Sequence, residues 1–511
     1  MHNSSQQHCR DRWLALPDWS LHGIYSLTHP HIHSSLAMDI QKVASTPRNP
    51  STRIINWVKN ETILAILLFF ALTFVIHGDS MSASWRWDDG AHLKFAITHS
   101  PSQYFFIPEI ARINSHANLT PWNALFYDVN LSLFGMDTRW HYAHLLLIVA
   151  LGAFLFYAVL RQWLPVLPAL MGALTLLLGK PTYHIAAGLM HGHYATGFAL
   201  SMLTILGWVH YLREGKKYWI ALSVASYVLA ITCKEVYVPL VMLLPFLPAG
   251  PIKQRIQATV PFVLVGIAYV GWRYLMLGAL IGGYTQGHFD LAQALHQFSR
   301  IPKLLIGHEG VADTFLALLF SFLLIKSIFN RNLNWLLITT VTLISATPLF
   351  PLTAFPGINN ADRYLFVPWI AISALLANCI NHQKNSAANY FLYTIITTSL
   401  ITIHLGERKA LNQDLTYWKV LYQFSLTADK SKQAIFVGLD DDYKKNVLIG
   451  ARYTLDKIQS KSITPPLTVV NSFGKGLKEA TALGLIIFEP HGSQIEPMSI
   501  ERISEAIRPA Q

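Results

Sequence analysis

Apolar residues along this chain fall in blocks rather than in the alternating or three-to-four spacing of soluble strands and helices. The blocks run for roughly 16 to 20 residues between short polar clusters, the length that crosses a bilayer core of about 30 Å. They predict about eleven spans, near 62–78, 143–160, 164–179, 195–212, 218–233, 235–248, 259–277, 312–329, 333–349, 365–380 and 388–404. The third, fifth, sixth and ninth are short for a crossing. The fold class expected is an α-helical polytopic membrane protein, with amphipathic helices in its first outward loop and a small C-terminal α/β extracytoplasmic domain.

Three regions follow from the same pattern. Residues 1–55 are polar and rich in Ser and His, with no uninterrupted apolar stretch of the kind a signal peptide needs, and read as a disordered cytoplasmic N-terminus. Residues 56–405 carry the spans, and 406–511 return to ordinary polarity. In that tail QAIFVGL (433–439), PLTVVN (466–471) and LGLIIFE (483–489) have strand character, while 443–458 and SIERISEAI (499–507) have helical character. The triplet Asp440, Asp441 and Asp442 lacks the spaced ligands of a calcium loop and reads as a solvated turn and helix cap.

Composition sharpens this picture. Charged residues are 13% and hydrophobic residues 52% of the 511, against roughly 25% charged in soluble domains, which excludes disorder, collagen and coiled coil for the chain as a whole. The net charge is +11, but the basic residues sit in alternate links: Arg48, Arg53 and Lys59, then Arg161, then Arg213, Lys216 and Lys217, then Lys253 and Arg255, then Lys326 and Arg331, then Lys384. Positive charge held on the cytoplasmic side explains that series without nucleic acid and gives a cytoplasmic N-terminus. An odd number of spans then puts the tail outside. The three cysteines, Cys9, Cys233 and Cys379, have neither metal-ligand spacing nor a disulfide framework.

The links on the opposite side, 79–142, 180–194, 233–235, 278–311 and 350–364, hold Trp, Tyr, His, Asp and Arg together, an inventory that idle connectors do not need. The first opens with WRWDDGAHLKF (85–95), where Asp88 and Asp89 differ by about 100° if helical, so that one acts while the other caps a helix. Its later part, LTPWNALFYDVNLSLFGMDTRWHYAHLLL (119–147), places Asp128 in a mostly apolar stretch suited to helices lying on the leaflet. CKEVYVP (233–239) and ADRYLFVP (361–368) supply Lys234, Glu235, Arg363 and Tyr364. Each has a plainer reading: carboxylates at a helix start, a Lys234–Glu235 pair within a tight turn, or Arg363 pairing with Asp362 or anchoring a span. In LMHGHYATG (189–197), His191 and His193 suggest metal, but no nearby Cys or acid completes a set, and hydrogen-bonding or site-lining roles are preferred for them and for His92, His141 and His184.

Taken together, the acidic pair after the first span, the proline-to-LFG-to-His segment, the Lys-Glu turn and the Arg-Tyr-x-x-x-Pro stretch resemble the GT-C superfamily of membrane glycosyltransferases. The likeness is to its protein O-mannosyltransferase-like branch and covers about residues 60–405. It implies transfer of a sugar from a polyprenyl-phosphate-linked donor to a hydroxyl of a protein, lipid or glycan acceptor on the outer face. Inversion is expected because a single catalytic base is evident and no separate nucleophile. Asp88, or else Asp89, would take the acceptor proton. Arg363 would hold phosphate oxygens bidentately with Lys234 as a point charge, and Glu235, His191, His193, Asp128 and Tyr364 would line the site. A divalent ion bridging Asp88 or Asp89 to the donor phosphate is compatible with this set without being required by it. The expected setting is a bacterial inner membrane with a periplasmic active face and tail. Two other classes fit many spans with polar loops. A transporter or lipid flippase would carry broken helices or repeated halves, and an O-antigen-ligase or polymerase type using diphosphate-linked glycans would place its main loop late.

Overall fold

Proline and glycine punctuation shapes the helices before packing does. The computed structural model describes residues 50–280, Ala292, 362–381 and 386–427, and in the tail 434–437, 450–459, 468–470, 486–491 and 494–497. The expected disordered segment before residue 50, the spans near 312–329 and 333–349, the 440–442 aspartates and the 499–507 helix lie outside the described residues. Met1–Asn60 and Glu61–Gln511 are two compact units, and the packing and chemistry described below belong to the second.

The first long helix, α1 (Pro50–His77), leads into the acidic turn and four loop helices, α2 (Asp89–Thr98), α3 (Pro101–Phe106), α4 (Pro108–Asn114) and α5 (Pro121–Phe134). Pro101, Pro108 and Pro121 each open their helix, where the missing N–H has no intrahelical partner to lose. Then follow α6 (Thr138–Leu160), α7 (Val166–Leu178), α8 (Lys180–Ala186), α9 (Gly192–Glu214), α10 (Lys217–Cys233), α11 (Leu240–Leu243) and α12 (Ile252–Leu277), and beyond the undescribed stretch α13 (Phe366–Asn381) and α14 (Ser386–Thr427).

Among the described residues four helices are long and apolar enough to cross a membrane, Glu61–Ser82, Thr138–Leu160, Leu189–Glu214 and Ile252–Leu277, or five if α7 and α8 form one bent span. The α6 and α9 segments are mostly buried in the bundle, whereas α1 and α12 expose Ile63, Leu64, Leu67, Val75, Val260, Leu264, Ile267 and Leu275. Such continuous apolar faces are stable against hydrocarbon, not water. Of the eleven spans expected, these four or five are full-length helices among the described residues, and two of the eleven lie outside them. Lys217–Cys233 and Arg363–Asn378 are apolar but shorter. The span expected at 235–248 is not a regular helix: it breaks into two 3-10 turns around the four residues of α11. Pro239, Pro245 and Pro248 remove the backbone donors that a continuous helix there would need. At the other extreme, the span expected near 388–404 continues without a break through α14, across the 405/406 boundary.

Ion pairs pin the bundle at both ends. Glu61 accepts from Arg161 Nε at 2.7 Å and from the Tyr157 hydroxyl at 2.8 Å, tying α1 to α6. At the end that carries the acidic turn, Arg408 pairs with Asp79 and Lys180 Nζ lies 2.9 Å from Glu407. The α7–α8 pair bends by 62° at Gly179. A Cβ on Gly179 would collide with Nε1 of the buried Trp369, whose N–H donates to the Leu176 carbonyl, which also accepts from the Thr182 hydroxyl. Gly179→Ala must push that indole aside, and we expect an overpacking loss of about 1–3 kcal/mol. Thermal unfolding in detergent checks this, and an unchanged midpoint would mean that the indole has room to yield.

The tail contains a four-stranded sheet of order β2-β1-β3-β4. β1 (Ala434–Val437) lies parallel to both β2 (Thr468–Val470) and β3 (Ile486–His491), and β4 (Gln494–Pro497) is antiparallel to β3. The three apolar stretches of the sequence supply β1 to β3. The QIEP strand went unread because it is short and its alternation is weak. A last helix, α15 (Arg452–Ile458), packs on α2, with the Lys94 ammonium 5.3 Å over the Tyr453 ring.

Candidate active site

The acidic turn is built around two buried residues. Trp85 and Arg86 are fully buried, and the Arg86 guanidinium stacks 4.0 Å over the Trp87 ring. Trp87 has φ of 49°, a left-handed conformation that costs a bulky side chain about 1–3 kcal/mol and persists only where packing enforces it. The chain leaves this kink with its two carboxylates in different environments. Asp89 is buried: its Oδ2 accepts from the Arg86 backbone N–H at 2.8 Å and its Oδ1 from the Tyr127 hydroxyl at 2.5 Å. Burial outweighs these bonds and raises Asp89 to about 7, while burial and the adjoining carboxylate push the Tyr127 hydroxyl well up. Asp88 is half-buried at the N-cap of α2, its side chain does not cap the helix, and it lines a cavity.

That cavity has a volume of about 620 Å³. Lys234 comes to it from the end of α10, His191 and His193 from the start of α9, and Arg363 and Tyr364 from the turn before α13. The rest of the wall sets neutral hydrogen-bonding groups, Asn114, Ser115, Asn118, Thr120 and Asn123 from the first loop, beside apolar Phe95, Ile113 and Met190, with Lys94 from α2, His99 at its C-cap and Gly450 from the tail. The Arg363 guanidinium lies 5.0 Å over the Tyr364 ring, and Lys234 Nζ is 5.5 Å over the Tyr194 ring and 3.7 Å from Glu235. His92 lines the same space, hydrogen-bonded to Asn123 at 3.0 Å. Burial lowers its pKa, opposed by the Asp88 carboxylate and reinforced by Arg363, so acid and cation act on one imidazole. A carboxylate able to take a proton thus shares a cavity with cations able to hold an anion, Lys234 and Arg363, and with Lys94 in the same wall.

Of the residues singled out from sequence, Asp88, Lys234, Arg363, Tyr364, His191 and His193 come together, and Asp89 stands behind Asp88. Glu235, Asp128, His141 and His184 do not line the cavity. Glu235 accepts from the Leu119 backbone N–H at 2.8 Å and pairs with Arg273, which also donates to the Ala117 carbonyl. It clamps the first loop to α12, and Arg273 is buried. Asp128 accepts a 3.4 Å bond from the Tyr104 hydroxyl on α3, and burial raises its pKa. His141 bonds the Gly135 carbonyl, and His184 lies 3.6 Å from Glu407. The sequence reading missed Tyr127, Tyr194, Asn123 and Lys94. Tyr127 was within reach, since helical neighbours differ by about 100° and only one of Tyr127 and Asp128 can face α2. Among the described residues no three His, Cys, Asp or Glu side chains gather as a metal set, and both Asp89 oxygens already accept hydrogen bonds.

The Asp89 environment predicts a pH dependence. Its folded pKa of about 7 lies above its ordinary 3.8. Its contribution to stability is therefore fully present below about pH 3.8 and is lost as the pH rises through about 7. The unfolding temperature in detergent is expected to fall across that window from this group, and Asp89→Asn to flatten the fall. Parallel profiles for the two proteins would contradict the assignment.

No protein-family model matches the sequence, and no curated protein matches it. Among the solved structures similar to it are two of one protein. One is ArnT from Cupriavidus metallidurans bound to undecaprenyl phosphate, at 12% identity over 87% of this chain and 99% of that one, with a TM-score of 0.48. The other is ArnT from the same organism in the apo state, at 12% identity over 90% and 100%, with a TM-score of 0.43.

Proposed function

We propose that the protein is an integral membrane glycosyltransferase of the GT-C type, moving a sugar from a polyprenyl-phosphate donor to an acceptor hydroxyl. The observation that carries this reading is the convergence of Asp88 with Lys234, Arg363 and Tyr364 on one cavity of about 620 Å³, from three separate loops. Asp88 takes the acceptor proton as its oxygen attacks the anomeric carbon. The sugar–phosphate bond breaks as that bond forms, and the negative charge left on the lipid phosphate is met by the Arg363 guanidinium and the Lys234 ammonium. Asp88 is the one carboxylate among the described residues lining the cavity, which favours a single displacement with inversion over a covalent glycosyl intermediate. The neutral amides and hydroxyls of the wall suit the hydroxyls of a sugar. In this reading the active face and the tail from residue 406 lie on the periplasmic side of a bacterial inner membrane, and the acceptor is a protein, lipid or glycan exposed there.

The test compares, by mass spectrometry, the glycans of surface polymers, lipids and exported proteins in cells lacking the protein, complemented with wild type or with Arg363→Ala. A sugar increment restored only by wild type names both the sugar and the acceptor class. No change in any glycan, together with lipid or solute flux in proteoliposomes, would replace this reading with transport.

A further inference from the structure

His191 occupies a position that its role as one more lining residue does not explain. The imidazole is buried, 4% exposed, at the end of the Leu189–His191 turn. Its Nδ1 is 2.8 Å from the His184 carbonyl oxygen. A carbonyl only accepts, so Nδ1 carries the proton, and in the neutral ring Nε2 presents a lone pair. Arg363 has only donors to offer, and its Nη1 lies 3.2 Å from that Nε2. The tautomer that one bond imposes is the one the other requires. A doubly protonated ring would set N–H against N–H and cation against cation.

The same ring reaches the acidic turn. Its centroid is 5.9 Å from that of Trp87, the residue whose left-handed backbone precedes Asp88. Gly188 makes this approach possible, because a Cβ there would stand 2.7 Å from His191 Nδ1 and 3.0 Å from Trp87 Cζ3. His193 makes no such bridge; its ring packs on Tyr194 at 4.7 Å. One imidazole therefore touches both the guanidinium that faces the cavity and the turn that sets the carboxylate.

From this geometry we infer that His191, as the neutral Nδ1–H tautomer, is the positioning residue of Arg363, holding its guanidinium in register with the Asp88 turn. The inference rests on the proposed reading of Arg363 as a donor-phosphate ligand. A displacement at carbon needs phosphate, anomeric centre and base in near-attack alignment. Of the Arg363 contacts, which include a 3.4 Å bond from Nη2 to the Tyr364 hydroxyl, the one to His191 is the contact that also reaches the Trp87 turn.

The experiment measures binding of polyprenyl phosphate to the purified full-length protein in detergent by native mass spectrometry. The proteins compared are wild type, Arg363→Ala, His191→Phe, His191→Gln and the Arg363→Ala/His191→Phe double variant. Phe keeps the ring against Trp87 but has no acceptor, whereas Gln restores an acceptor toward Arg363. His191→Phe is expected to weaken binding about tenfold, the scale of one charge-assisted hydrogen bond. It should add less than about twofold on top of Arg363→Ala if the two act as one unit, and His191→Gln should recover most of the loss. Losses that multiply in the double variant, a Gln variant as weak as Phe, or a Phe variant that binds like wild type would each overturn the positioning role while leaving the functional reading intact. Wild type that binds no polyprenyl phosphate would overturn both. Should His191→Phe not fold, Gly188→Ala displaces the same ring from beside it. It is expected to weaken binding in the wild-type background and to do nothing further with Arg363→Ala, and equal effects in both would refute the inference.

Discussion

Asp88→Asn is expected to lower sugar transfer by about 10²–10⁴-fold, the usual worth of a positioned general base, with the fold and donor binding retained. The substitution keeps the volume of the side chain and removes only its capacity to take a proton. The neighbouring carboxylate is a poor substitute, because Asp89 is buried and both its oxygens are already engaged, by the Arg86 backbone and the Tyr127 hydroxyl. The measurement is single-turnover transfer from a polyprenyl-phosphate sugar by purified protein in proteoliposomes, with donor binding followed in parallel. Loss of turnover with donor binding intact assigns the base. Loss of both would make Asp88 a structural residue of the turn, and full activity would move the base to Asp89.

The second large effect concerns stability rather than chemistry. Glu235→Ala leaves the Arg273 guanidinium buried without its carboxylate and removes the acceptor for the Leu119 N–H. Breaking a buried pair on one side costs roughly 3–5 kcal/mol, since the remaining charge stays out of water. The loss is expected to reach the site, because residues 117–119 adjoin Asn118 and Thr120 in the cavity wall. Glu235→Gln keeps an acceptor for Leu119 and should lose less. Unfolding midpoints in detergent order the three proteins, and an alanine variant within about 1 kcal/mol of wild type would show that water reaches Arg273.

How much of this was legible beforehand differs from element to element. The helices at α1, α6, α9 and α12 were, because in hydrocarbon a segment must satisfy its backbone within itself, so length and apolarity decide locally. Of the loop helices, α5 was announced by Pro121 at its opening. The breaks within the 235–248 segment were not legible because a block average hides three prolines. At the site, the acidic pair, the Lys-Glu turn and the Arg-Tyr stretch stood out as residue types in unusual places. Their partners did not: Tyr127 faces Asp89 only because α2 packs on α5, and Glu235 turns from the cavity only because Arg273 is buried nearby.

The sequence by itself determined a helical membrane protein with proton-taking and anion-holding groups in its loops, since those properties reside in single segments and single side chains. Only the tertiary structure decided which of two adjacent carboxylates lines the cavity, that Glu235 is a clamp, and that His191 sits between Arg363 and the Trp87 turn. Arg363 and His191 are 172 residues apart in the chain. A hydrogen bond across that separation depends on distance and direction, which helix packing sets and no local pattern encodes.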